Sequence, residues 1–213
     1  KMIEFPSMYN LSKSPRETCI AFDKLDGSNI RVKYNRKKGF HLFGSRHQLF
    51  DETHPFLAGS IPYFMENYSE KLERILAGKE FSNIREVIAF GEYFGEKSFA
   101  GFHLPDDNTK KFVLFDLLIV YKDRYEFLKP QKFIKLVADE VEIPRIIYEG
   151  NLNDPFIQDV KDNKFNLSEG VICKGTETKG SYCGKVWMCK IKTKEYLDKL
   201  RTHFKDDWEK YAE

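Results

Sequence analysis

Lys24-Leu25-Asp26-Gly27-Ser28-Asn29 is the stretch on which the reading of this chain turns. Asp-Gly is a turn dipeptide, and the residues on either side, Thr18 to Phe22 and Asn29 to Tyr34, alternate or run apolar as strands do. The pattern predicts two strands joined by a tight turn, with a lysine at the exit of the first. Taken alone, a charged Lys-x-Asp-Gly turn is common on protein surfaces, so its meaning rests on the rest of the chain.

Working outward, Gly39 to Phe43 predicts a third strand, and Tyr63 to Leu76 has apolar residues at 64, 65, 68, 72, 75 and 76, a helical spacing closed by Gly78. Glu86 to Phe90 and Lys111 to Tyr121 read as buried strands, and Lys129-Pro130 introduces a helix over residues 131–140. Ser168 to Lys174 and Lys185 to Ile191 predict further strands. Leu197, Leu200, Phe204, Trp208 and Tyr211, at steps of 3, 4, 4 and 3, predict an amphipathic helix running to the end of the chain. Strands outnumber helices in mixed order, which predicts an α+β fold with antiparallel sheets flanked by helices. No repeat, low-complexity tract or linker is visible, so residues 1–192 are expected to form one domain and 193–213 a helical appendage.

Composition bounds the class. The chain has 213 residues, with 41% hydrophobic and 32% charged, and 19 Phe and 11 Tyr supply area for a core, which excludes disorder throughout. No apolar run of membrane-spanning length and no basic-then-apolar leader occurs, so neither a membrane partner nor secretion is expected. Cys19, Cys173, Cys183 and Cys189 show no CxxC pattern, which fits reduced thiols of an intracellular (cytoplasmic) protein. A net charge of +2 does not itself point to nucleic acid. Two basic stretches do: Arg31, Lys33, Arg36, Lys37 and Lys38, then Lys174, Lys179, Lys185, Lys190, Lys192, Lys194, Lys199 and Arg201. His41, His47, His54, His103 and His203 match no catalytic pairing.

GxxxxGK[ST], GxGxxG and HExxH are all absent, which removes the main support for phosphate-loop, dinucleotide and zincin chemistry. Present instead, in order, are Lys24-x-Asp26-Gly27; Gly91-Glu92-Tyr93-Phe94-Gly95; Phe115-Asp116-Leu117 in an apolar strand; Glu169-Gly170 with Lys174 closing EGxxxK; and Lys190-Ile191-Lys192, whose two amines share a strand face. That ordered set resembles the covalent nucleotidyltransferases, the superfamily of polynucleotide ligases and mRNA capping enzymes, over residues from about 20 to 192. Ser45-Arg46 after the lysine motif looks like the ATP-dependent RNA ligases of the phage and trypanosome-editing type.

The resemblance implies a ligase adenylation domain in which Lys24 attacks the α-phosphate of ATP to form lysyl-AMP, AMP passes to a 5′-phosphate, and a 3′-hydroxyl displaces it. A lysine of ordinary pKa ~10.4 spends roughly 4 kcal/mol to present a free amine near neutral pH. Like-charged Lys190 and Lys192 are expected to lower that cost and, with Arg46 and Mg²⁺ or Mn²⁺, to hold the charge that develops on phosphate. Glu169 and then Asp26 are the expected metal ligands. The resemblance further implies that Glu92 contacts the ribose, that Phe115 stacks on the base with Phe112 the competing choice, and that Asn29 lies near phosphates or ribose. The expected partner is RNA more than DNA. A DNA ligase core, a GTP-using capping guanylyltransferase and a non-catalytic nucleic-acid-binding module are the rivals. Only residues 193–213 follow Lys192, fewer than the OB-fold domain usual in DNA ligases and capping enzymes or the helical C-terminal domain usual in phage-type RNA ligases. The expectation is therefore either a truncated catalytic domain or a compact ligase ending in one helix.

Overall fold

The computed structural model describes residues 2–177 and 186–212, so Lys179, Cys183, Lys185 and the start of the last expected strand lie outside the described residues. Contacts divide the chain into two compact units. The first comprises Lys1–Pro6 and Gly27–Ile143, and the second Ser7–Asp26 and Pro144–Glu213. The chain leaves the second unit for the first between Asp26 and Gly27, inside the lysine motif.

The first unit is built on a six-stranded sheet. Its strands are β2 (Ser28–Asn35), β3 (Gly39–Gly44), β4 (Leu49–Phe50), β5 (Glu86–Phe94), β6 (Lys111–Val120) and β7 (Tyr125–Phe127), in the order β4-β3-β2-β5-β6-β7 and antiparallel throughout. β5 and β6 show no clean apolar/polar alternation because both their faces are covered. Val87, Ala89, Leu114, Leu117 and Ile119 enter the main core, while Ile88, Phe90 and Leu118 join a second cluster with Met2, Phe5 and Phe127. Helices α1 (Ser60–Phe64) and α2 (Glu70–Leu76), joined by a wider helical turn over Met65–Ser69, bring Phe64, Tyr68, Leu72 and Leu76 to the main core at steps of four. Helix α3 (Pro130–Val137), with proline in its first turn, adds Phe133 and Val137 and stops short of the expected residue 140.

Phe112 is fully buried there, edge-on to Phe64 and Tyr68 with ring centroids 5.2 and 5.0 Å away. Its ring lies over Gly91 so closely that an added Cβ would sit 2.0 Å from Phe112 Cζ. Phe112 is therefore core, and its place in the core explains the first glycine of Gly91-Glu92-Tyr93-Phe94-Gly95.

The second unit holds a four-stranded sheet of order β10-β9-β1-β8, from β1 (Thr18–Lys24), β8 (Ile146–Asn151), β9 (Gly170–Gly175) and β10 (Met188–Lys192). One face carries Cys19, Ala21, Val171, Cys173, Cys189 and Ile191 against Phe156, Ile157 and Val160 of helix α4 (Asp154–Lys161). The three described cysteines are free and buried. The opposite face carries the lysines. Asn153 and Thr193 cap α4 and α5 (Lys194–Phe204), accepting from Phe156 N (2.9 Å) and Tyr196 N (3.1 Å).

Two expectations are corrected. β1 and β2 are strands but do not form a hairpin: β1 pairs with β8 and β9, β2 with β3 and β5, so the Asp26-Gly27 turn passes the chain from one sheet to another. The C-terminal helix is also interrupted. Lys205 has φ 48°, and after it a short helix α6 (Glu209–Ala212) returns so that Tyr211 stacks on Phe204 at 3.8 Å. In an unbroken helix, residues seven apart would be separated by about 10 Å along the axis.

Gly91→Ala is expected to destabilise the protein by about 1–3 kcal/mol through overpacking against Phe112. Adding Phe112→Leu should recover part of that loss, measured as non-additive free energies in urea denaturation.

Candidate active site

Lys24 ends β1, Gly170 begins β9 and Lys192 ends β10, and the register pairs Lys24 with Gly170 and Gly170 with Lys192. Directly paired residues point to the same face, so both lysines rise on either side of a residue that has no side chain. Gly170 is closely approached as well: a Cβ would fall 2.0 Å from the Ile191 carbonyl oxygen. Glu169, immediately before it, reaches into this space. Its Oε2 lies 2.7 Å from Lys24 Nζ and its Oε1 3.1 Å from Lys192 Nζ. The side chains of Lys24, Glu169 and Lys192 are 21%, 4% and 8% exposed, so these ion pairs are held largely away from water.

Lys192 is anchored further. Nζ also donates to the Tyr211 carbonyl (3.3 Å) and lies 5.3 Å from the ring centroid of Tyr196. Burial pulls its pKa below the usual lysine value; Lys24 adds to this, while Glu169 and Asp26 oppose it. Lys190, two positions along β10 and paired with Ile172, shares the face. So does Lys174, which pairs with Ile20 and Met188, is 3% exposed and holds Nζ 5.3 Å from the ring centroid of Phe22. From sequence, Lys174 belongs to a basic stretch and to a motif but is given no role at the site. Its place closing Glu169-Gly170-x-x-x-Lys174 puts it on the same strand face as Gly170, beside the lysine pair.

In the first unit, Asn29 of β2 pairs directly with Glu92 of β5, so their side chains share a face, the one that also carries Phe90 and Phe115. Glu92 Oε1 accepts from Gly27 N (3.1 Å). A Cβ on Gly27 would sit 2.4 Å from the Tyr93 carbonyl oxygen, which accounts for the glycine of the lysine motif. Asn29 Oδ1 is buried and has no hydrogen-bond partner among the described residues. Such an acceptor fits the hydroxyl donor of a bound ribose. Phe115 occupies the irregularity where β6 slips against β5, its ring 5.2 Å from Phe5 in an edge contact. Arg46 is exposed in the turn between β3 and β4.

Arg31, read from sequence as part of a basic surface, is buried instead. Its Nε donates to the Ser45 carbonyl (2.6 Å) and Nη1 to those of Met2 and Ile3 (2.9 and 3.2 Å), so it braces the Ser45-Arg46 turn. Lys33 is paired with Glu86 at 2.7 Å. His103 is a second surprise. Nε2 lies 2.8 Å from Ser28 Oγ and Nδ1 3.3 Å from Ser98 Oγ, which accepts from Gly95 N (2.9 Å). Burial chiefly, then the charge of Lys110, lowers its pKa from 6.5 against the pull of Asp107.

Mg²⁺ is commonly held by one or two carboxylates, with substrate phosphates and water completing the shell. Glu169 and Asp26 have that donor chemistry. No group of three or more potential ligands occurs among the described residues, so a cation here would depend on phosphate oxygens.

The RNA ligase family profile matches residues 17–192. No sequence among curated proteins matches. Solved structures of the Naegleria gruberi RNA ligase share the fold. One variant with ATP and Mn gives a TM-score of 0.64 at 20% identity, over 92% of this chain and 58% of that one. The ligase with PPi gives 0.59 at 23%, over 88% and 53%. Another variant with AMP and Mn gives 0.59 at 21%, over 86% and 52%. This chain thus spans little more than half the length of those it matches, and its two antiparallel sheets with flanking helices are the adenylyltransferase fold.

Removing the shared carboxylate leaves two ammonium groups facing each other. Glu169→Ala is expected to cost about 3–5 kcal/mol in urea denaturation at neutral pH. For His103 the folded pKa is depressed, so its contribution to stability is complete above about pH 6.5 and is lost as pH falls through the lower folded value. Thermal melts from pH 7 to pH 5 should show His103→Gln losing less stability on acidification than the wild type.

Proposed function

Because this chain belongs to the RNA ligase family, we propose that Lys24 is its nucleophile and that it joins RNA ends through a lysyl-AMP made from ATP. The observation that carries this reading is the Glu169 carboxylate shared between Lys24 and Lys192 on one sheet face. In the first step the uncharged Lys24 amine attacks the α-phosphorus. An N–P bond forms, the bond to the pyrophosphate oxygen breaks, pyrophosphate leaves and the nitrogen gives its proton to water. AMP then passes to a 5′-phosphate, and a 3′-hydroxyl displaces it to close the strand.

The cluster supports the step at phosphate. With Lys24 uncharged for attack, Lys192 and Glu169 balance each other in a largely dry place, and Lys190 and Lys174 leave the face net positive. Developing negative charge on phosphate is favoured there, since it meets fixed cations that need not reorganise. Glu169 keeps Lys24 pointed along the face, and forming the phosphoramidate removes the charge on Lys24 and frees one carboxylate oxygen. Glu169 and Asp26 would hold Mg²⁺ or Mn²⁺, which when bound neutralises phosphate charge. Arg46 is assigned to phosphate, Glu92 and Asn29 to the ribose, and Phe115 to the base. The unpartnered Asn29 oxygen supports the ribose assignment.

Intact mass spectrometry after incubation with Mg²⁺ and each nucleoside triphosphate tests the scheme. The expected result is a single AMP adduct from ATP that is absent in Lys24→Ala, with Lys192→Ala forming it about 10²–10³-fold more slowly. An adduct that persists in Lys24→Ala refutes the nucleophile. An adduct from GTP alone would mean a capping enzyme, and nicks ending in deoxyribose sealed faster than those ending in ribose would mean a DNA ligase.

A further inference from the structure

The segment that follows α5 turns back to the candidate site, and the chemistry proposed above gives that return no role. Helix α5 starts just past Lys192, with Thr193 as its N-cap, and stops at Phe204. There Lys205 takes φ 48° and ψ −120° and reverses the chain. That is backbone strain, which a lysine keeps where surrounding structure enforces it. Two ring contacts bridge the turn. Phe204 of α5 stacks on Tyr211 of α6, with centroids 3.8 Å and planes 17° apart, and the Arg201 guanidinium lies 4.4 Å from the ring centroid of Trp208. Main-chain bonds from Trp208 N to the Lys205 carbonyl (3.3 Å) and from Tyr211 N to the Trp208 carbonyl (3.0 Å) order the stretch between.

The return delivers the Tyr211 carbonyl to 3.3 Å from Lys192 Nζ. An ammonium has three donors on a flexible four-carbon stem, so one acceptor does not fix its direction. Glu169 Oε1, at 3.1 Å, is the other acceptor, but that carboxylate also holds Lys24 at 2.7 Å. Its pairing must change when Lys24 reacts. The Tyr211 carbonyl belongs to no reacting group, and it stays in place while the charge on Lys24 is consumed.

We propose that Tyr211 is a positioning residue: its main-chain carbonyl, delivered by the turned-back segment 205–212, holds Lys192 so that the remaining donor meets a phosphate oxygen. The inference rests on the ligase reading for what Lys192 does, and on geometry alone for what holds it. Charge fixed in advance stabilises a transition state because it need not reorganise, and a displacement of about 1 Å at such a group costs as much as about 10²-fold in rate.

Two readouts on the whole chain test this. One is the rate of AMP-adduct formation over a range of ATP concentrations. The other is the rate at which acetic anhydride acetylates Lys192 without nucleotide, followed by peptide mass spectrometry against the other lysines. Phe204→Ala removes the stack and leaves Tyr211 and Lys192 in the chain. It should slow adduct formation at saturating ATP about 10- to 100-fold with an unchanged KM for ATP, and should speed acetylation of Lys192, whose side chain is 8% exposed in the wild type. Phe204→Tyr, which keeps a ring, should restore both values. Lys205→Pro, with φ fixed near about −65°, should reproduce Phe204→Ala by a backbone route, and Lys205→Gly, which relieves the strain, should behave as the wild type. In a Lys192→Ala background, Phe204→Ala should slow the reaction no further, because its effect runs through Lys192. A full additional loss in that background, unchanged adduct formation in Phe204→Ala, or unchanged acetylation of Lys192 overturns the proposal. Faster adduct formation in Phe204→Ala also overturns it, since the segment would then restrain Lys192 rather than position it. A wild type that takes no AMP overturns the ligase reading instead, and the acetylation rates still decide whether the segment holds Lys192.

Discussion

Glu169 shared between Lys24 and Lys192 is the interaction on which the second unit depends. One carboxylate with little access to water compensates two ammonium groups, and the three charges leave one positive charge over. A buried arrangement of this kind contributes little net stability, because desolvation offsets attraction, but losing one member is expensive. Its value lies in the residual cation, which a polyphosphate can neutralise and solvent cannot reach well. The same arrangement fixes strand register. A slip of one residue in β10 would turn Lys190 and Lys192 into the apolar face and bring Cys189 and Ile191 out. Packing of Cys173, Cys189 and Val171 against α4 on one side and the lysine cluster on the other therefore specify a single pairing.

Glycines set how closely the functional groups approach. Gly170 has no side chain to separate Lys24 from Lys192, Gly27 lets the lysine motif press on the Tyr93 carbonyl, and Gly91 lets Phe112 pack beneath β5. None is needed for a positive φ. Each is needed for space, and that is why three of the five motifs set a glycine beside an acidic residue: the carboxylate does the polar work and the glycine admits its partner.

Motif residues and strand identities were legible because their signals are local. Lys24-x-Asp26-Gly27 leaves an apolar strand, Lys190 and Lys192 alternate, and Glu169-Gly170 opens a strand, all readable from spacing alone. β8 was missed because Ile146–Asn151 is largely exposed or half-buried and lacks alternation, and α4 because its apolar residues are few, although Asn153 with Pro155 marks a capped helix start. Arg31 looked like a surface cation because burial of an arginine depends on distant carbonyls, those of Met2, Ile3 and Ser45. His103 matched no pairing because its serines stand 75 and 5 positions away, and only the folded segment brings both to one ring.

The amino-acid sequence by itself determined which residues carry charge and nucleophilicity, the strand or helix character of most segments, and the ordered motif set that matches the RNA ligases over residues 17–192. Side-chain chemistry and periodicity are properties of neighbours along the chain, so they need no fold to be read. Tertiary structure decided that β1 and β2 lie in separate sheets, that Glu169 sits between Lys24 and Lys192, and that Ser28 meets the His103 ring. Those outcomes depend on pairings across tens to more than a hundred residues, where hydrogen-bond registry and burial, rather than local propensity, choose the partner.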